Sequence, residues 1–362
     1  MAPSTAARHR IAIAAAAGSL ALLAAACGGT SAAPDETIAV ALPSTSVETG
    51  TTVPTVVTDP LTGLPNTDPS ILDRSAMVVK IDNHPRAKPQ VGFNQADIIF
   101  EENVESLTRF AAVFHSQTPE LVGPIRSGRF QDIDLVGSLN RPLFVWSGGN
   151  EKVTANIKRS DLINLSFTEA QDSGAYDRDD SRPAPQRGCA APPKLWEFAA
   201  TLGVEGAGPP PAQFTYRSDS DANASSAKPV AGAKVSMDGV RVLWEWKTEF
   251  GEFMRIQDGK EFKDSDGTPV SMPNVVVLEV VYSRAYSPAA KTIGGGKAWV
   301  FTNGVVTEGT WDRPTRLDPF ALLDAAGAPI KLTPGQTFVM VARPDAVAVI
   351  DEGTDPDDVK YP

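Results

Sequence analysis

Arg126-Ser127-Gly128-Arg129 is the segment whose residue types and spacing most readily suggest chemistry. A serine there can cap a helix running from Gly128 to Leu139, whose free N–H groups and dipole favour an anion. Two guanidiniums three residues apart could then fork onto a carboxylate or a phosphate. The same arginines could instead pair with nearby acids such as Asp82, Glu101, Asp132 or Asp134 and fix the helix on a sheet. Trp146-Ser147-Gly148-Gly149-Asn150 is a strand-to-helix joint whose open amides and indole could line a sugar or peptide cleft; tight packing is its plainer reading. The candidate ligand-binding set is therefore Arg126, Arg129, Ser127, Gly148, Gly149 and Asn150.

A second constellation is acidic. Asp82-Asn83-His84 closes one expected strand and Glu101-Glu102 closes another. If those ends coincide, Asp82 and Glu101 could share a cleft as the two carboxyl groups of a cell-wall glycan hydrolase, with His84 orienting or shuttling a proton. Glu101 and Glu102 point to opposite faces and cannot be that pair themselves. The alternative is a turn in which Asp and Asn satisfy backbone amides while His84 packs on Pro85.

Other chemistries find little material. The chain has three His and two Cys, and neither His84 nor His115 has a Cys or second His at ligand spacing, so no metal is expected. Cys189 has only those two histidines as conceivable bases and reads as a buried or incidental thiol. No phosphate-binding loop, dinucleotide fingerprint or Gly-x-Ser-x-Gly elbow occurs, so no cofactor is expected. With 33 basic against 44 acidic side chains and a formal charge of −11, there is no electrostatic footprint for nucleic acid. The balance favours binding over catalysis.

The 362 residues suffice for two ordinary cores, and the apolar pattern supplies the elements that would hold these groups. Residues 59–204 alternate strand-length apolar runs (Met77 to Asp82, Ala96 to Glu102, Phe110 to Ser116, Leu143 to Trp146) with helical patterns. The helices are Gly128 to Leu139, Glu151 to Arg159 capped by Asn150, and one opened by Pro192-Pro193. From Val204 to Lys234 the composition turns to Pro, Ala, Ser, Gly and Asp, with one possible strand at Gln213 to Arg217. Residues 212–353 then read as β structure. Asn303-Gly304 there supplies the positive φ angles of a tight hairpin, and Trp244 and Trp246 share a strand face as core residues rather than a sugar platform. The expected class is α+β: an N-terminal mixed α/β domain with helices on a sheet, followed by a β-rich C-terminal domain.

Residues 1–26 carry Arg8 and Arg10, the apolar run Ile11 to Leu23 and three alanines, which make a secretory signal rather than a spanning helix. Leu22-Leu23-Ala24-Ala25-Ala26-Cys27 resembles a bacterial lipobox, with Ala24 where Leu is commoner. The resemblance implies that Cys27 is diacylated, palmitate being the usual kind of chain, and becomes the first mature residue. Residues 27–58 lack any period and read as a disordered tether. These features place the body outside the cytoplasm, held by the lipid on the outer face of the bacterial cell membrane, where a cell-wall component or an envelope protein is the expected partner.

Several ordered motifs resemble the YerB-like lipoprotein family: Pro60 to Pro65, Lys80 to Pro85, Asn94 to Glu102 and Gly123 to Arg129 for its first domain, and Gly296 to Trp299, Gly309 to Arg313 and Leu332 to Gln336 for its second. The resemblance spans about Asp59 to Ile350. It implies two domains and an extracytoplasmic site, and supplies no catalytic residue. One departure is Gln186, where the pattern leads one to expect His.

Overall fold

The computed structural model describes residues 57–203, 208–285 and 287–362. The signal segment, Cys27 and all but the last two tether residues lie outside them. Those two, Val57 and Thr58, pair as a short strand with Pro65 and Asn66.

The first half supplies five main strands, β1 (Met77–Asp82), β2 (Ile98–Val104), β3 (Leu107–Phe114), β4 (Leu143–Trp146) and β5 (Ile163–Ser166). The second half adds β6 (Lys228–Met237), β7 (Val240–Lys247), β8 (Glu252–Gln257), β9 (Asn274–Glu279), β10 (Gly294–Thr302), β11 (Val305–Arg313), β12 (Thr337–Ala342) and β13 (Val347–Asp351). The longest helices among the described residues are α1 (Phe130–Leu135), α2 (Glu151–Arg159) and α3 (Pro192–Thr201). The fold is mixed and β-rich.

The halves are distinct in sequence but share one sheet in space. Its order is β8-β7-β6-β11-β10-β9-β12-β2-β3-β1-β4-β5, with β13 on β6. The join is β12, which runs parallel to β9 on one side and to β2 on the other, with Thr337 opposite Ile98 and Val341 opposite Glu102. Every residue of β1, β2 and β12 is buried. Strands covered on both faces need not show polar–apolar alternation, which is why apolar residues follow one another unbroken at 77–79, 98–100 and 338–342.

One face carries Ile81, Phe110, Phe301 and Phe338, and the hairpin strands β6, β7 and β8 fold over it. Trp244 meets Phe338 at 4.9 Å between ring centroids, and Phe253 meets Phe301 at 5.9 Å. The other face carries Val78, Phe100, Ala111, Phe144 and Trp146, against which Val153 and Ile157 of α2 are buried. Two expected elements differ. The helix from Gly128 to Leu139 is the six-residue α1 followed by a single 3-10 turn at Gly137–Leu139. Gln213 to Arg217 is no strand, making one bridge between Tyr216 and Leu332.

Candidate functional site

The end of β1 organises the region. Beyond Gly123 the chain turns back along it: Asp82 N–H donates to the Pro124 carbonyl at 3.0 Å and Arg126 N–H to the Lys80 carbonyl at 2.7 Å. That pairing sets Arg126 beside Asp82, with Nε 3.0 Å from Oδ2. Ser147 N–H donates to the Arg126 carbonyl (3.1 Å) and Gly128 N–H to the Gly148 carbonyl (3.2 Å). The two segments singled out by sequence therefore lie side by side.

Their individual roles differ from expectation. Ser127 does not cap a helix; α1 begins at Phe130, and the flanking residue is Arg129. The physical reason is Asp132, whose Oδ2 accepts the Arg129 N–H at 2.6 Å while its Oδ1 receives the Lys80 ammonium at 2.7 Å. This carboxylate, not the serine hydroxyl, fixes the helix start. Ser127 contributes its carbonyl, which accepts from Arg109 Nη1 at 2.9 Å. Asn150 does cap α2, its Oδ1 accepting the Val153 N–H at 3.0 Å. Gly149 is exposed, but a Cβ there would meet Trp146 and Val153 at 3.1 and 3.2 Å, whereas one at Gly148, at φ 105°, would meet open space.

Both candidate arginines are paired, as in the alternative that sends them to acids. Besides Arg126 on Asp82, Arg129 forks onto Glu105 with both carboxylate oxygens at 2.8 Å. Arg109 lies 3.9 Å from the same Glu105. Three guanidiniums thus share two carboxylates. Burial, and then the neighbouring Arg129 and Arg126, pulls the Arg109 pKa down to about 10. Directly behind, Lys80 is held between Glu102 and Asp132, all three without solvent exposure. Charge is therefore sorted by depth: the surplus cation sits toward solvent and the surplus acid in the core.

The acidic pair proposed for glycan hydrolysis does not assemble. Across β1, β3 and β2 the register aligns Asp82 with Arg109 and Glu102, and Ile81 with Phe110 and Glu101. Successive residues alternate faces, so Asp82 and Glu101 stand on opposite sides of the sheet. Glu101 is fully buried, with Arg255 at 2.9 Å and Thr108 Oγ1 donating at 2.7 Å. Engaged by both partners, Glu101 is not a free acid or base, and its place on the opposite face keeps the two carboxyls out of one cleft. His84 accepts the Arg86 N–H on Nδ1 at 3.1 Å, a local turn contact. Cys189 is buried, and desolvation raises its thiol pKa to about 11, which suppresses the nucleophilic thiolate.

Sequence reasoning missed Arg109, Glu105 and Arg255. Arg109 precedes the apolar run that marked its strand, and only the pairing of β3 with β1 reveals its alignment with Asp82. Gln186 did leave a signal, as the residue standing where His was expected; its amide lies 3.5 Å from Asp82 Oδ2.

Residues 61–205 match the family described as "Protein of unknown function (DUF3048) N-terminal domain", and residues 233–339 match its C-terminal domain. A curated relative, "Putative lipoprotein YerB" of Bacillus subtilis (strain 168), is 29% identical over 305 residues, 81% of this chain and 88% of that protein. The crystal structure of YerB protein from Bacillus subtilis has a TM-score of 0.71 at 24% identity, covering 81% of this chain and 99% of that one, a likeness of fold.

Proposed function

We propose, from the premise that this chain belongs to the YerB-like family of two-domain proteins, that it is a lipid-anchored lipoprotein of the cell envelope that works by binding. Its anchor is Cys27, its site the outer face of the bacterial cell membrane, and its ligand an anionic or peptide-like envelope component or a protein partner. The observation that carries the binding reading is the set of three guanidiniums over two carboxylates beside the Ser147–Asn150 loop. Arg126 and Arg129 keep 25% and 15% of their side chains accessible, enough to exchange an internal acid for an external one. Ser127, Gly148, Gly149 and Asn150 shape the ground around them. The same loop supports a protein partner as well as a small anion, because Ser147, Gly149 and Asn150 are exposed.

Two variants test the two parts separately. Cys27→Ser should release the body from membrane fractions into the medium, and full retention in the membrane would sink the anchor. Arg126→Ala with Arg129→Ala should lower capture from an envelope extract or binding to purified cell-wall fragments at least tenfold. Undiminished capture by a folded double variant would remove the arginine site.

A further inference from the structure

A second candidate site lies on the other side of the β1 terminus. Between the segment Pro85 to Gln90 and the turn region Gln257 to Gly267 is a cleft of about 590 Å³, within the size range of small-molecule sites. Its charged groups are unevenly matched. Each acid along it is already engaged: Asp264 accepts the N–H groups of Gly92 and Asn94 at 3.1 and 2.9 Å, Glu261 holds Lys263 at 2.7 Å, and Asp258 accepts the Arg241 N–H at 3.0 Å and the Gln257 amide at 3.3 Å. Lys88 and Lys260 line the same cleft, and among the described residues neither has an acid within ion-pair distance. In a chain of formal charge −11, two amines that line one cavity without forming an ion pair are a local exception.

Two further features give the cleft chemical character. Gln90 is fully buried; its Nε2 donates to the Asp82 carbonyl at 2.9 Å, and its Oε1 has no hydrogen-bond partner among the described residues. A buried acceptor left without a donor invites one from a ligand or water. Phe262, buried against the core, presents its ring to Lys88, whose Nζ lies 5.2 Å from the centroid. Arg255 stands 5.1 Å from the same centroid. Burial, followed by repulsion from Arg255, draws the Lys88 amine down to about pKa 8. A bound anion would relieve both costs.

We propose that this cleft is a binding site for a small organic carboxylate, with the carboxylate set between Lys88 and Lys260, an apolar body laid against Phe262 and an N–H or O–H donated to Gln90 Oε1. The site is separate from the arginine cluster, and its test does not touch Arg126 or Arg129. The two sites share Asp82, whose carbonyl holds Gln90 and whose carboxylate pairs with Arg126.

Competitive acetylation of the whole body with limiting acetic anhydride at pH 8, read by peptide mass spectrometry, reports the state of Lys88. The expected result is prompt labelling of Lys88, because an amine held near pKa 8 is about half unprotonated at that pH. Millimolar N-acetyl derivatives of alanine, leucine, phenylalanine and glutamate, screened as a panel, should include at least one that slows Lys88 labelling fivefold or more. Its neutral amide counterpart should leave the rate unchanged. Gln90→Leu should abolish that protection while Lys88 stays reactive, and Lys88→Met should eliminate calorimetric binding of the same acid. Equal protection by acid and amide, protection by inorganic phosphate alone, or no protection across the panel would each overturn the proposal.

Discussion

Two arginine–carboxylate regions of this molecule use the same pair of functional groups at different depths. Arg255 and Glu101 are both wholly inaccessible, and four rings (Phe110, Trp244, Phe262 and Phe338) surround the guanidinium at 4.8 to 5.7 Å. Arg126 and Arg129 meet Asp82 and Glu105 at similar distances but remain partly open to solvent. A buried pair cannot exchange its partner without exposing a bare charge to a low dielectric, so it serves to hold β8 against β2. A partly wet pair can exchange. The contrast teaches that depth, more than residue type, separates the fixture from the candidate site.

The largest expected effect tests the buried member. Arg255→Met strands Glu101 as an uncompensated charge and should cost about 3–5 kcal/mol of stability. Adding Glu101→Leu should restore most of that loss, because the charge and its desolvation leave together. Denaturant midpoints for the two variants decide it, and a double variant no more stable than the single would mean that Arg255 acts through its ring contacts instead.

A smaller effect sharpens the comparison from the sheet's other face. Burial, and then Asp132, pushes Glu102 up to about pKa 7. A carboxyl whose folded pKa lies above its unfolded value of 4.5 binds its proton more tightly in the folded state. Its contribution to stability is therefore complete below about pH 4.5 and is lost as pH rises toward 7. Glu102→Gln should flatten that decline, with stability at pH 5 and pH 7.5 drawing closer. Asp97, raised to about 6 by burial, titrates in the same sense and leaves a residual slope. Identical pH profiles for wild type and Glu102→Gln would show that the Lys80 ammonium holds Glu102 ionised throughout.

These sites were unequally legible in the sequence. Asn303 and Gly304, at φ 51° and 71°, join β10 to β11 as their residue types require. Asn150 and Pro192 likewise announce α2 and α3 through local chemistry. Register is a different matter. That Asp82 faces Glu102 and turns away from Glu101 depends on which residue of β3 stands between them, and a slip of one residue reverses it. The insertion of β12 beside β2 joins residues 337 and 98, a pairing with no local signature. The start of α1 was misplaced because Asp132 is drawn inward by Lys80, a partner fifty-two positions away.

The smallest stability effect belongs to the arginines that the sequence did single out. Arg126→Ala with Arg129→Ala removes two partly exposed partners, and exposed or half-exposed ion pairs are worth about 0–1 kcal/mol each. Asp82 keeps the amides of His84 and Gln186 at 3.2 and 3.5 Å, and Glu105 keeps Arg109 nearby, so neither carboxylate is left bare. The double variant should therefore melt within a few degrees of wild type while losing the envelope capture proposed for the arginine site. A loss comparable to that of Arg255→Met would erase the distinction between the two regions, because the arginine cluster would then be a second structural fixture.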